Sequence, residues 1–244
     1  MRRSLSAFPA VLVAAFAATQ AAQAEPRAVV ELFTSQGCSS CPPADRVLGD
    51  LTQDPSVIAL TLPIDYWDYL GWKDTLADPR YTARQKAYSK MRNDRDVFTP
   101  QAVVNGALQV IGSDRAAIDG AITASHASAP ATMAVPVEIK QSGNSIQVNV
   151  ASKDGARGEV WICAVSKAVP ISIARGENRG KQITYHNVVR NWLKVGEFTG
   201  AAHQWSVPLE NVARDGVDAA AVLVQHGGPD RPGPMLGAAF ATLQ

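Results

Sequence analysis

The chain has 244 residues with 23 basic and 22 acidic side chains, a net charge of +1. That balance excludes an electrostatic case for nucleic acid or an anionic membrane surface as partner. The length allows two domains of roughly 100 residues each. There are three cysteines, Cys38, Cys41 and Cys163, so one thiol is left over if the first two pair.

Met1 to Ala24 reads as a secretory signal. Arg2 and Arg3 make the basic start, Ala7 to Ala18 the apolar stretch and Ala22-Gln23-Ala24 a small-x-small cleavage site. The apolar stretch is short of the roughly 20 residues a spanning helix needs, and no later stretch is long and apolar enough. The expected mature chain starts near Glu25, has no membrane span and is periplasmic or secreted, where disulfides persist.

Ala28 to Phe33 is apolar enough for a strand buried on both faces. Ser35-Gln36-Gly37-Cys38-Ser39-Ser40-Cys41-Pro42-Pro43 then turns into a helix through Leu51, with Ala44, Val47, Leu48 and Leu51 at helical spacing. Pro42 and Pro43 suit a first turn, which needs no N–H donors. Val57 to Ile64 is a second buried strand, so the opening is β-α-β in a parallel sheet. Four aromatic residues in Tyr66-Trp67-Asp68-Tyr69-Leu70-Gly71-Trp72, followed by a polar helix from Asp78 to about Arg92, read as an insertion over about 66–97. It reads as a small aromatic subdomain, as a wall beside the cysteines that shapes a substrate groove, or as both. Thr99-Pro100 leads into strands Gln101 to Val104 and Ala107 to Ile111 around an Asn105-Gly106 turn. A helix follows Gly112-Ser113-Asp114.

Residues 128–133, with Pro130, read as a linker between a first domain over 25–127 and a second over 134–244. In the second the pattern changes to short alternating strands: Val135 to Lys140, Ser145 to Ala151, Glu159 to Ser166, Lys181 to Arg190, Trp192 to Phe198, Gln204 to Leu209, Ala219 to Gln225 and Leu236 to Ala241. With Gly, Asn and Pro turns between them, they suggest an all-β, sandwich-like domain.

Two cysteines separated by two residues at the start of a helix supply what disulfide exchange needs. These are a thiolate favoured by unpaired N–H groups and the helix dipole, and a second thiol near enough to displace a mixed disulfide. On this reading Cys38 is exposed and Cys41 more buried. The spacing alone also suits a structural disulfide or half a metal site. Zinc would want a second cysteine pair, and a Cu(I) site would draw on His126, His186, His203 or His226, which are scattered. Cys163 lies in an apolar strand and reads as a small buried hydrophobe. Arg175 to Arg179 is the stretch expected to touch across the two halves.

Strand, Cys38-Ser39-Ser40-Cys41, helix, strand, then Thr99-Pro100, a hairpin and a helix, resembles the thioredoxin fold over about Ala28 to Ala127. The Cys-Ser-Ser-Cys-Pro-Pro-Ala-Asp run, Asp65-Tyr66-Trp67-Asp68, Thr99-Pro100-Gln101, Gly176-Glu177-Asn178, Tyr185 and Asn187-Val188-Val189-Arg190 are similar to the bacterial family DUF1223. The resemblance implies an α/β thioredoxin-like domain with a helical insertion. It implies Cys38 as nucleophile, Cys41 as resolving thiol, Pro100 as a cis-proline beside them and Glu31 as the buried acid. Thr99, Gly37, Tyr66 and Trp67 would form the substrate surface, with Gly37 opening it where thioredoxins carry a tryptophan. The expected activity is thiol–disulfide exchange with cysteine-containing exported proteins, recharged by a redox partner and needing no bound cofactor. The alternative is a non-enzymatic binding module or a Cu(I)-handling protein.

Overall fold

Ala28–Thr34 (β1) and Val57–Pro63 (β2) are buried along their whole lengths, because both faces of their sheet are covered. They pair in parallel from Ala28 opposite Val57 to Thr34 opposite Pro63, and helix Pro42–Leu51 (α1) makes the crossover. In this computed structural model, residues 25–129, 131–214 and 216–244 are described. The expected signal at Met1–Ala24 lies outside the described residues, as does Pro130 of the expected linker.

A 3₁₀ turn at Asp68–Leu70 and helix Pro79–Arg92 (α2) follow β2. The Asp78 side chain caps α2 by accepting from the Arg80 N–H. Gln101–Val104 (β3) returns antiparallel to β1 and pairs with Leu108–Ile111 (β4). The Asn105-Gly106 turn between them has positive φ at both residues, as this hairpin type requires. Helix Arg115–Ser128 (α3) completes the first half, capped by Asp114.

The second half contributes Val137–Ser142 (β5), Ser145–Val150 (β6), Gly158–Ser172 (β7), Gln182–Phe198 (β8), His203–Pro208 (β9), Ala219–Gly228 (β10) and Arg231–Thr242 (β11). Its arrangement departs from the sandwich expected over 134–244. A three-stranded sheet, β5-β6-β9, does face β7 and β10. Those strands, however, belong to an eight-stranded sheet in the order β11-β10-β7-β8-β2-β1-β3-β4, so the fold is mixed α/β around one large central sheet. The junction is β8 against β2. Thr61 registers with Val188, the Thr61 hydroxyl donates to the His186 carbonyl at 2.6 Å, and the Asn187 amide donates to the Ala59 carbonyl at 3.0 Å. A buried β2 needs partners for its outer backbone groups, and β8 supplies them.

The break expected at Asn191 is a bulge, not a turn. Ala164 pairs with Asn191 but Val165 with Val189, so Lys181 to Arg190 and Trp192 to Phe198 form one strand. The boundary expected at 128–133 does not separate two cores either. Val29, Phe33, Leu60, Tyr81 and Tyr88 share one apolar cluster with Cys163, Val165, Leu223 and Met235. On the opposite face of β1, Val30 and Leu32 pack with Ala44 and Leu48 of α1 and Ile118 of α3. Strand alternation therefore decides which side chains can meet the cysteine helix.

Candidate functional site

β1 delivers the chain into a loop folded by two successive tight turns. The Ser35 carbonyl accepts from the Cys38 N–H at 3.1 Å, and the Cys38 carbonyl accepts from the Cys41 N–H at 3.2 Å. Cys38 and Cys41 are joined as a disulfide with a Cα–Cα separation of 5.4 Å. Cys41, not Cys38, holds the N-cap of α1, its carbonyl accepting from Ala44 and Asp45 at 2.8 and 3.1 Å. Cys38 sits one turn earlier.

The expectation of an exposed Cys38 is corrected: it is 3% exposed, against 0% for Cys41. The cause is the burial of the whole Ser35–Cys38 loop, flanked by the aromatic insertion and the loop between β7 and β8, while Ser39 and Ser40 stay exposed. Gln36 is the meeting point. Its N–H donates to Asp74 Oδ2 at 2.8 Å, its side-chain carbonyl accepts from Trp72 Nε1 at 2.8 Å, and its backbone carbonyl accepts from Asn178 Nδ2 at 2.9 Å.

Gly37 does not open the surface as expected. It is buried, and a Cβ there would lie 3.1 Å from Trp67 Cβ and 3.2 Å from the Trp67 carbonyl oxygen. The missing side chain is what admits Trp67. The Trp67 indole N–H donates to Thr99 Oγ1 at 2.7 Å, and exposed Tyr69 stacks on its ring at 6.4 Å between centroids. Tyr66 donates from its hydroxyl to Gln85 Oε1 at 3.2 Å. This geometry sets Trp67 and Trp72 of the insertion beside the cysteine loop. Pro100 follows a cis bond from Thr99. Ser40 Oγ lies 3.5 Å from Cys38 Sγ and 3.5 Å from the Thr99 carbonyl, linking the disulfide to that segment.

Glu31 is not brought to the cysteines. It shares the face of β1 occupied by Val29 and Phe33, opposite the face that packs on α1. There its carboxylate accepts from Arg84 at 2.7 and 3.1 Å and from the Tyr88 hydroxyl at 2.5 Å. Arg84 also bonds Gln225 and lies over the Tyr88 and Trp192 rings. Cys163 is buried in the same cluster, where burial pushes its thiol up.

Two buried acids lie on the cysteine side: Asp74 beside Gln36, and Asp45 one turn after Cys41 on α1. The Thr34 hydroxyl donates to Asp45 Oδ1 at 2.7 Å, and Asp45 Oδ2 has no partner among the described residues. Burial pushes this carboxyl up to about 7; Asp74 adds to the rise, while the Thr34 bond and Arg46 oppose it. Asp74 is itself pushed up to about 6, chiefly by burial, against its bonds from the Gln36 and Leu76 N–H groups. The buried Tyr185 phenol lies close enough to be raised by both carboxylates on top of its burial, and it too lacks a partner among the described residues. The Pro-Pro-Ala-Asp run held the signal for Asp45. A carboxylate four residues after an N-cap cysteine faces the same side of the helix.

Asn178, named in the Gly176-Glu177-Asn178 run and in the Arg175 to Arg179 stretch but given no role at the cysteines by the sequence, is fully buried. Its Nδ2 donates to the Cys38 carbonyl at 2.7 Å as well as to Gln36, and its Oδ1 accepts from Lys181 Nζ at 2.8 Å. The contact expected from Arg175 to Arg179 is thus made, by Asn178. Among the described residues no group of three or more His, Cys, Asp or Glu side chains is arranged to hold a metal ion.

No curated protein matches the chain. The crystal structure of protein AGR_C_4864 from Agrobacterium tumefaciens is 32% identical, with 90% of this chain and 95% of that one covered at a TM-score of 0.80. HBP35 of Porphyromonas gingivalis is 13% identical, with 90% of this chain and 76% of that one covered at a TM-score of 0.63, a likeness of fold alone. The family model DUF1223, described as a protein of unknown function, matches residues 29–225, a span that includes every site residue described above. With that span and the 32% identity to the Agrobacterium protein, the chain belongs to the DUF1223 family.

Proposed function

We propose that residues 28–127 form a thioredoxin-like unit and that the protein is an exported thiol–disulfide oxidoreductase acting through Cys38 and Cys41. The carrying observation is the Cys38–Cys41 disulfide closed at the start of α1, with Ser40 Oγ between Cys38 Sγ and the Thr99 carbonyl. The order β1-α1-β2, then antiparallel β3 and β4 and helix α3, supports the fold reading.

In the oxidising direction, a client thiolate attacks Cys38 Sγ. The Cys38–Cys41 bond breaks, and Cys41 leaves with the electron pair. Asp45, protonated over much of the range below neutrality, hands its proton to the departing thiolate one turn away. A second client thiolate then attacks the client sulfur of the mixed disulfide, and Cys38 leaves as a thiolate one turn ahead of the N-terminus of α1. The client loses two electrons and the cysteine pair gains them. A partner dithiol or disulfide of appropriate potential recharges the pair, and its potential sets the net direction. Clients are cysteine-containing exported proteins, which dock against Thr99, Trp67 and Tyr69. Export fits the chemistry, because disulfides persist outside the reducing cytosol.

The test is a pair of serine variants incubated with an extract of the exported compartment and resolved without reductant. Cys41→Ser should accumulate mixed disulfides through Cys38, and Cys38→Ser should not. Equal capture by both variants, or by neither, overturns the reading.

A further inference from the structure

We infer that Asn178 is a positioning residue that holds Cys38 and, with Lys181 behind it, stabilises the Cys38 thiolate. This deepens the exchange reading proposed above and rests on it.

Asn178 comes from the other half of the chain, 140 residues away from Cys38. β7 and β8 run on past the part of β7 that pairs with β10: Val165 is the last β7 residue opposite β10, whereas β7 and β8 stay paired to Ser172 opposite Gln182. The extension is a two-stranded arm. Its terminal loop is closed on itself by Ile173 N–H to Lys181 O at 3.0 Å and Gly180 N–H to Ile173 O at 2.8 Å. At Gly176 φ is +75°, and a Cβ there would meet Trp72 Cβ at 3.2 Å. This turn seats the loop against the insertion and points Asn178 inward. A surface loop without a task has no reason to bury a fully bonded asparagine.

The orientation of its amide is set by chemistry. The two carbonyls of Gln36 and Cys38 only accept, so the NH₂ end must face them, and the ammonium of Lys181 only donates, so Oδ1 must face it. The hydrogen bonds therefore run in one direction, from Lys181 through Asn178 to Cys38. A cationic donor on Oδ1 polarises the amide and strengthens its N–H groups as donors. The Cys38 carbonyl accepts from Asn178 as well as from the Cys41 N–H. Two donors on that carbonyl disperse its negative charge, and the positive end of the Asn178 amide dipole faces the Cys38 peptide. Both effects favour the charged thiolate over the neutral thiol. Asn178 acts through the backbone of Cys38 and touches no client.

The measurement is the pH profile of alkylation by iodoacetamide, made on reduced full-length mature protein carrying Cys41→Ser so that Cys38 is the reporting thiol. Asn178→Ala should move the profile to higher pH, with alkylation on its acidic limb slower by about tenfold for each unit moved. Lys181→Met keeps the stem and removes the charge, and should move the profile the same way by less. Asn178→Asp sets a carboxylate against two carbonyls at neutral pH. Protonation restores one donor, so its rate relative to Asn178→Ala should climb as pH falls. A merely structural asparagine would alter the unfolding midpoint and leave all three profiles alone. Wild-type profiles in Asn178→Ala and Lys181→Met overturn the inference. Should Asn178→Ala fail to fold, the exposed Lys181 decides by itself. Failure of the exchange reading would show separately, as absent mixed disulfides in the Cys41→Ser parent with its alkylation profile intact.

Discussion

Replacing Asp45 by asparagine should flatten the fall of stability with rising pH near this site. The folded carboxyl keeps its proton up to about 7, whereas the unfolded chain releases it near the ordinary 3.8. Between those values the folded state binds more protons, so stability falls as pH rises. The difference corresponds to on the order of 4 kcal/mol, present in full below pH 4 and lost by about pH 8. Asparagine keeps the acceptor for the Thr34 hydroxyl and removes the titration. It also places an NH₂ where Oδ2 has no partner among the described residues, which costs about 1–3 kcal/mol. The net expectation is a variant roughly 1–3 kcal/mol more stable than wild type at pH 8, from the same two terms. At pH 4 it should be less stable by the cost of the unpaired amide. Asp74 titrates beside Asp45 and remains in the variant, so the variant's slope is shallower than the wild type's but not abolished. Urea unfolding of the oxidised protein at four pH values from 4 to 8 measures both curves. Parallel curves for wild type and Asp45→Asn would refute the reasoning, because they would mean that the carboxyl titrates alike in both states. On the exchange mechanism proposed above, the same variant should also slow exchange.

Other outcomes follow from the same geometry. Gly37→Ala forces its new methyl group against Trp67 backbone and Cβ, and should cost about 1–3 kcal/mol in urea unfolding. Its indole bond to Thr99 should weaken, read as a shift in tryptophan emission. Glu31→Gln leaves Arg84 charged and without its carboxylate in a buried cluster, and should cost about 3–5 kcal/mol. Because Glu31 faces away from α1, alkylation of reduced Cys38 should match wild type in the folded variant; a changed rate would restore Glu31 to the cysteine site. A fragment ending at Ser128 should not unfold cooperatively, since it strips Val165, Val189, Leu223 and Met235 from the cluster that covers Phe33 and Leu60. A sharp two-state denaturation curve for that fragment would count against the single shared core.

The sequence by itself determined the local features. The largely apolar runs of β1 and β2 demanded a sheet covered on both faces, and Asn105-Gly106 demanded a hairpin. Cys-x-x-Cys ahead of two prolines placed a sulfur pair at a helix start, because propensity and capping act over a few residues. Tertiary structure alone decided the rest. Whether Glu31 reaches the cysteines depends on which face of β1 receives α1, and the run Val-Val-Glu-Leu-Phe is apolar on both faces, so its pattern carries no such information. Gly37 reads as open space until Trp67, thirty residues on, is seen to occupy it. The joining of the two halves rests on β8 beside β2, a pairing more than a hundred residues apart in the chain that alternation does not specify. Asn178 is the same case at the site itself. An asparagine in a Gly-Glu-Asn loop is ordinary turn chemistry, and only the reach of the β7–β8 arm turns it into the donor that holds Cys38.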